Sequence, residues 1–306
     1  MKVEYLSASR SDVFVSCPFR YFLQYHLQLP ELKKDTIQTT KGSAAHLALE
    51  MHAKGQDGTA ALKDYYAENQ PWKLDNRKPG KGWPHPVEKA CNGCKWAVDT
   101  GTGTVCSIAK RSITDFDGCP KPNFEEDLKL VNYAIDRPDT PFSRKIIGVE
   151  TPFELEIEGF KAHGYIDLLT EIDSDTMEVR DYKTGVKAKN TDEMYKDLQM
   201  RIYSVAAKRL FPQYKYVEMT LDFLRTKPVT IIFGPDDDKK TIEVLKEIHK
   251  KITNSIDPPR KKSFKCSWCV GYERCGQIRD QYVKDGVFVM PPPVEKVKVE
   301  KQEESA

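Results

Sequence analysis

Three alternating segments follow one another between residues 145 and 185: KIIGVETPFELEIE (145–158), AHGYIDLLTEI (162–172) and MEVRDYKTG (177–185). Alternation of apolar and polar residues with period two is the pattern of strands half-buried on one face. The turn-rich DSDT between the last two leaves room for an antiparallel neighbour and for no crossover. The centre of the chain is therefore expected to fold as a meander. Its third segment ends in an unusual way, on Asp181 and Lys183. Side chains two apart on a strand project together, so this pair shares a face with Met177 and Val179. Antiparallel pairing through DSDT brings Asp167 beside Asp181, and two carboxylates then converge on one point.

Buried carboxylates that close repel, and they are relieved by protonating one or by holding a divalent cation between them. Oxygen donors with few thiols nearby favour Mg²⁺ or Mn²⁺. Lys183 is placed to orient an attacking water or to stabilise charge growing on a phosphate. The segment TKGSAAHLALEMHAK (40–54) reads as a helix, with His46 and Glu50 four apart and so neighbours on its surface. An imidazole from His46 would tilt the preference toward Mn²⁺, with Glu50 helping to hold it and Glu150 in GVETPF as an additional acid.

The rest of the chain surrounds this centre with mixed elements. Residues 7–30 read as two short helical pieces, with Ser9 as the first cap and Pro18 in the first turn of the second. TDEMYKDLQMRIYSVAAKRLF (191–211) reads as one amphipathic helix capped by Thr191. Strands at YVEMTLDFLRT and PVTIIFG and a helix over about 236–254 complete an α/β pattern.

The chain has 306 residues, enough for one sizeable domain or two modest ones. Its 48 basic and 46 acidic side chains nearly cancel, so any basic surface is local. One such run is PPRKKSFK, with Arg260, Lys261, Lys262 and Lys265, which could grip DNA phosphates or simply be solvated. No leader-like apolar segment and no run of about 18 apolar residues appears, so the expectation is a cytoplasmic protein without a membrane partner.

In a reducing compartment, cysteines in clusters suggest metal ligation more than disulfides. Cys91, Cys94, Cys106 and Cys119 form a CxxC followed by two single cysteines, with eleven and twelve residues intervening. The surrounding Gly- and Thr-rich stretch is expected to be held by a structural Zn²⁺, with His85 and His52 as substitute ligands. Cys266, Cys269 and Cys275 follow CxxCxxxxxC, and three thiols need a fourth ligand from elsewhere.

These motifs, in this order, resemble the RecB-like branch of the PD-(D/E)XK nucleases. GSAAH, ending in His46, is similar to the family's GxxxH; GYID, ending in Asp167, to its G-x-x-D; DYKTG contains D-x-K; and QMRIY is similar to Q-x-x-x-Y, with Gln199 and Tyr203. The resemblance covers roughly residues 5–55 and 145–280. It implies a restriction-endonuclease-like α/β core, a central mixed sheet flanked by helices, carrying a Cys-rich insertion. It implies that His46, Asp167 and Asp181 bind the metal, that Lys183 assists the nucleophilic water, and that Gln199 and Tyr203 lie over the site. AddB-type and CRISPR-associated relatives hold a [4Fe-4S] cluster with one early and three late cysteines, which implies Cys17 as the partner of Cys266, Cys269 and Cys275; four thiolates also suit zinc.

The expected organisation is an N-terminal helical part (1–70), a Cys-rich subdomain (71–122), a nuclease core with its iron–sulfur segment (123–285) and a disordered tail (286–306). The implied activity is hydrolysis of DNA phosphodiesters. An exonuclease on single strands or DNA ends is favoured, in repair, recombination or viral DNA processing, alone or beside a separate helicase or recombination protein. Two competing readings are a non-catalytic DNA-binding scaffold and a structure-specific endonuclease.

Overall fold

The computed structural model describes residues 1, 3, 5–29, 36–71, 94–101, 103–112, 119–186 and 188–294. Cys91, His85 and the tail from residue 295 lie outside the described residues. Strand β1 (Tyr5–Leu6) precedes helix α1 (Ala8–Ser16), the short α2 (Pro18–Tyr21) with a π-turn at Phe22–His26, then α3 (Ile37–Ala53) and α4 (Gly58–Asn69). Three short strands, β2 (Ala97–Asp99), β3 (Thr104–Cys106) and β4 (Arg111–Ser112), lead to α5 (Lys121–Asp136). The meander is β5 (Ile146–Ile157), β6 (Phe160–Glu171) and β7 (Thr176–Lys183). It is followed by α6 (Thr191–Lys196), α7 (Leu198–Leu210), β8 (Tyr216–Phe223), β9 (Pro228–Phe233) and α8 (Pro235–Thr253). The described chain closes with α9 (Cys275–Asp280) and a hairpin of β10 (Val283–Lys284) and β11 (Val287–Phe288), so the first residues of the expected disordered tail, 286–306, form a paired strand instead.

Local chemistry explains where the elements differ from expectation. Ser7, not Ser9, caps α1, accepting from the Arg10 N–H, while Pro18 opens α2 as its sequence suggests. The single helix expected over 191–211 is two. Asp197 adopts an extended conformation, and its carboxylate accepts from the N–H groups of Gln199 (2.8 Å) and Met200 (3.3 Å), so a side-chain cap starts a second helix in mid-run. Asn190, not Thr191, caps the first of them, in a capping box with Glu193. The turn between β6 and β7 closes on Asp173, whose carboxylate accepts from Asp175 and Thr176.

The chain forms two compact units. The larger comprises residues 34–153 and 164–238. Its sheet is mixed: β5 and β7 flank β6, β7 runs antiparallel to β6 and parallel to β8, and β8 is antiparallel to β9. Ala44, Ala45, Ala48 and Leu49 of α3, Leu62 and Tyr66 of α4 and Phe124 and Val131 of α5 bury together against Leu168 and Tyr182 of the sheet. Cys106, Ile108 and Ala109 join the same cluster, so part of the Cys-rich stretch is anchored by ordinary apolar burial. Helix α7 packs on β7 and β8.

Because β8 pairs along the whole of β7, that strand is central rather than half-exposed, and Met177 through Tyr182 are all buried. Charged residues on it must find partners inside the protein. Arg180 donates to Asp222 (2.7 Å) and Glu178 (2.6 Å). Glu178 also accepts from Arg144 (2.9 Å) and Thr170 (3.1 Å), and Asp222 from Arg137 (2.8 Å). Removing Arg180 takes a buried cation from two buried carboxylates, leaving Glu178 to Arg144 and Thr170 and Asp222 to Arg137. Arg180→Met is therefore expected to lower unfolding stability by about 3–5 kcal/mol in urea titrations; a loss under about 1 kcal/mol would show that the cluster is not a working charge network.

The smaller unit comprises residues 1–33, 154–163 and 239–306. Here β1 pairs in parallel with the start of β6, through Tyr5 with Lys161 and Leu6 with Ala162. Phe19, Phe22 and Leu23, the face seen in the sequence, bury with Cys269 and Phe288, and Cys17, Cys275 and Ile278 pack around them. No helix among the described residues is long and apolar enough to cross a membrane.

Candidate active site

The site lies in the larger unit, where α3 meets the end of β7. Thr36 caps α3. One turn into the helix, a Cβ on Gly42 would stand 3.2 Å from Thr184 Oγ1, so a residue without a side chain allows the helix this close to the strand end. Four residues on is His46. Lys41, beside Gly42, ties α3 to α5 through Glu126 (2.6 Å) and the buried Asp127 (3.3 Å). Burial pushes the Asp127 carboxyl up to about 6, although Lys41 and the Tyr66 hydroxyl oppose it.

The β6–β7 ladder ends at Leu168 opposite Arg180. The next pair in that register would be Asp167 with Asp181. Instead of extending the ladder, Asp167 Oδ2 accepts from the Tyr182 N–H at 3.1 Å. The Tyr182 carbonyl lies 2.8 Å from His46 Nε2. A carbonyl only accepts, so this contact assigns the proton to Nε2 and leaves the lone pair of a neutral ring on Nδ1. That nitrogen is 3.3 Å from Asp167 Oδ2. Two acceptors facing each other at this distance need a proton or a cation to share.

Asp181 is 2% exposed. Burial, with the nearby charge of Asp167, pushes its carboxyl up to about 6 against the opposing pull of Lys183. Its Oδ1 accepts from Gln199 Nε2 at 2.9 Å. Its Oδ2 is ion-paired with Lys183 Nζ but has no hydrogen-bond partner among the described residues. Gln199 holds three groups at once, since its Oε1 accepts from Lys183 Nζ at 3.4 Å and its Nε2 also reaches Tyr203 Oη at 3.2 Å. Burial raises the Tyr203 phenol to about 12, so it stays neutral.

A shallow cleft adjoins these groups, lined by His46, Glu50, Glu150 and Asp167 over an apolar floor that includes Leu49 and Leu168. Glu150 sits within β5 at φ 46°, a left-handed conformation rare for such a residue. Burial raises its carboxyl above the ordinary range, and Asp167 and Glu50 add to the rise. Glu50 is tied to Lys54 at 2.5 Å.

The structure thus brings His46, Asp167, Asp181, Lys183, Gln199 and Tyr203 to one place, with Glu50 and Glu150 beside them. Among the described residues, no group of three or more His, Cys, Asp or Glu side chains is already closed to metal-holding distances. The donor chemistry nevertheless fits a small divalent cation, since His46 Nδ1 faces Asp167 Oδ2 at 3.3 Å and burial, with the nearby charge of Asp167, disfavours ionisation of the Asp181 carboxyl. Sequence reasoning missed Asp197, whose cap sets Gln199 at the start of α7, and gave no packing role to Gly164, the first residue of GYID. A Cβ on Gly164 would approach the Phe153 ring to 2.8 Å, and that ring packs edge-on against Tyr203. Gly164→Ala is expected to cost about 1–3 kcal/mol by forcing Phe153 aside, with the shift passed to Tyr203; thermal unfolding and a crystal structure of the variant would check it.

In the smaller unit, four cysteines lie within electrostatic reach of one another. The Cys269 thiol is pushed up by burial and also by Cys17 and Cys266, and the Cys275 thiol by burial, Cys269 and Cys17. Each sulfur has a donor: the Lys261 N–H for Cys17 (3.4 Å), the Ser263 N–H for Cys266 (3.3 Å), the Gly271 N–H for Cys269 and the Arg260 side chain for Cys275. None is in a disulfide. In the larger unit, burial raises the Cys119 thiol, with smaller contributions from Cys106 and Cys94. His52 stands against the Phe142 ring, centroids 4.6 Å apart.

No curated protein matches the chain in sequence. Among solved structures it is similar to a protein from Eubacterium rectale named "Putative exonuclease", at 13% identity over 95% of this chain and 91% of that one, with a TM-score of 0.49. It is also similar to SSO0001, at 15% identity over 52% of this chain and 72% of that one, with a TM-score of 0.32. Residues 5–105 and 124–276 match the PD-(D/E)XK nuclease superfamily, a span that includes every residue of the cluster around Asp181. By that match over most of its length, the chain belongs to the PD-(D/E)XK nuclease superfamily.

Proposed function

We propose that the chain is a RecB-like, metal-dependent deoxyribonuclease that acts as an exonuclease on single strands or DNA ends. The observation that carries the reading is the His46–Asp167–Asp181 arrangement, in which His46 Nδ1 faces one carboxylate at 3.3 Å and the second, buried carboxylate has Oδ2 held by the ion pair with Lys183. His46, Asp167 and Asp181 would hold Mg²⁺ or Mn²⁺, and Glu150 or Glu50 borders the same cleft. When bound, the cation supplies Lewis acidity toward a phosphodiester. The chain's own groups do the rest. Lys183, held between Asp181 and Gln199, can donate to an attacking water or to a phosphoryl oxygen as charge grows there. Gln199 keeps that ammonium in place, and Tyr203 braces Gln199. The neutral His46 tautomer is fixed by the Tyr182 carbonyl, which leaves Nδ1 as the donor.

Cys17, Cys266, Cys269 and Cys275 would hold a [4Fe-4S] cluster; the reading is supported by the charge effect of Cys17 and Cys266 on Cys269 and of Cys269 and Cys17 on Cys275, and by a hydrogen-bond donor at each sulfur. The cluster's role would be to fasten chain ends. Cys94, Cys106 and Cys119, with Cys91 outside the described residues, would hold a structural Zn²⁺, a reading supported by the charge effect of Cys106 and Cys94 on the Cys119 thiol. The described thiols, none of them paired, suit the cytoplasm.

The test uses purified protein with Mn²⁺ and end-labelled DNA, comparing linear with closed circular single strands. Progressive loss of nucleotides from linear DNA alone supports the reading. Discrete fragments from the circle would replace it with an endonuclease, and binding without cleavage would replace it with a scaffold.

A further inference from the structure

Two carbonyls lead away from the functional end of β7, and the turn between β8 and β9 holds both. The Lys183 carbonyl accepts from the Leu224 N–H at 3.0 Å. The next, that of Thr184, accepts from Arg225 Nε at 2.8 Å. Arg225 has a second engagement, since its Nη1 donates to Glu126 Oε1 on α5 at 2.7 Å. The other oxygen of Glu126 accepts from Lys41 Nζ on α3 at 2.6 Å. A chain of charges therefore runs from the residue after Lys183, through α5, to the helix that carries His46. Although burial disfavours its charge, hydrogen bonds from Lys41 and Arg225 keep the Glu126 carboxyl below the ordinary range, so the bridge stays ionised.

The two ends of this chain, Lys41 and Thr184, adjoin the point where Gly42 lets α3 approach the strand. Apolar burial is non-directional, so it presses helix and strand together without fixing their offset. Hydrogen bonds fix it, because they weaken steeply out of line. A planar guanidinium that reaches a carbonyl and a carboxylate at once suits the task better than an ammonium. Its contribution to stability is small, because the Arg225 and Glu126 side chains are 28% and 33% exposed and ion pairs open to water add little.

We propose that Arg225 is a positioning residue, which through Thr184 and Glu126 sets the offset between His46 on α3 and Asp181 and Lys183 on β7. The assignment rests on the reading of those side chains as a metal-dependent nuclease site.

The experiment compares the full chain with Arg225→Ala, Arg225→Lys, Glu126→Ala and the double variant Arg225→Ala/Glu126→Ala. Mn²⁺ binding is read without DNA, by electron paramagnetic resonance of the free ion. Tm, and kcat and KM on a labelled single-stranded oligonucleotide, are measured beside it. Arg225→Ala is expected to weaken Mn²⁺ binding about 10- to 100-fold and to lower kcat by a similar factor, since a misplacement of about 1 Å can cost about 100-fold in rate. KM should stay within about twofold, and Tm should fall by no more than about 4 °C. Arg225→Lys should fall short of the wild type, because one ammonium does not span both acceptors. Glu126→Ala should weaken Mn²⁺ binding as Arg225→Ala does, and the double variant should lose no more than the larger single loss, because both changes break one chain. Mn²⁺ binding within about twofold of the wild type in Arg225→Ala, full affinity in Arg225→Lys, or additive losses in the double variant would overturn the assignment. So would a raised KM at constant kcat, the mark of a group that touches DNA instead, or a lowered Tm with Mn²⁺ binding intact, the mark of a brace for the fold alone. The two readings fail separately. A wild type that cleaves DNA while Arg225→Ala binds Mn²⁺ normally removes this role alone, and weakened Mn²⁺ binding in variants of a protein that never cleaves removes the nuclease reading alone.

Discussion

Asp181→Asn is expected to lower DNA cleavage on the order of 10³-fold, because the cation's stabilisation of developing charge is worth several kcal/mol. The same change should leave the fold as stable as before, or more so. The amide oxygen can still accept from Gln199 Nε2, so the hydrogen bond at 2.9 Å survives. What disappears is a carboxylate that burial and Asp167 disfavour, with its carboxyl raised from 3.8 to about 6. At 1.36 kcal/mol per unit, the ionised group costs the metal-free wild type up to about 3 kcal/mol. The sign follows from the raised value. Below about pH 3.8 both states are protonated and the penalty is absent, and it grows as pH rises through about 6. In chelator, the variant's Tm advantage should therefore appear between about pH 4 and 6 and level off above. Adding Mn²⁺ should reverse the order, since a cation that binds the folded wild type raises its Tm and has lost a ligand in the variant. Retained cleavage, or equal stabilisation of both proteins by Mn²⁺, would remove Asp181 from the site.

Cys266→Ser is expected to abolish a broad visible absorption near 400 nm and to release the ends of the chain. A link between Cys17 and Cys266 closes a loop of about 250 residues, for which the loop-closure relation gives about 5 kcal/mol. The apolar cluster of the smaller unit is modest, with Phe19, Phe22, Leu23 and Phe288 packed directly around Cys269. Loss of the link should expose residues 1–30 and 260–290 to protease while sparing the sheet of the larger unit. The raised thiols of Cys269 and Cys275 must give up protons to ligate, so the cluster should also be lost in acid more readily than the fold of the larger unit. Iron and sulfide analysis of anaerobic protein checks the cofactor. A colourless wild type with one zinc per chain would keep the fastening role and replace the cluster. A metal-free wild type with protected ends would remove both.

Much of the active site could be read in the chain because its signals are periodic and local. The meander appears as alternation, DSDT is a turn by composition, and antiparallel pairing through it forces Asp167 toward Asp181. Gly42 to His46 and Gln199 to Tyr203 are each four apart on a helix, and that interval alone stacks them on one face. The helix break at Asp197 was invisible for the opposite reason. Every residue around it has an acceptable helical propensity, and only the choice of its carboxylate to cap Gln199 and Met200 ends one helix and starts another.

What remained hidden depends on partners distant in sequence. The parallel pairing of β7 with β8 turned an expected half-buried strand into a central one, and with it made Arg180 a buried charge that needs Asp222. No periodicity encodes that Arg137 should meet the same carboxylate, or that a Tyr182 carbonyl should choose the tautomer of His46. The order and spacing of residues decided which groups could stand side by side, because strand and helix repeats are properties of the backbone. Which protons they hold, and which buried charges they answer, was decided by packing, because desolvation and pairing arise only when remote segments exclude water together.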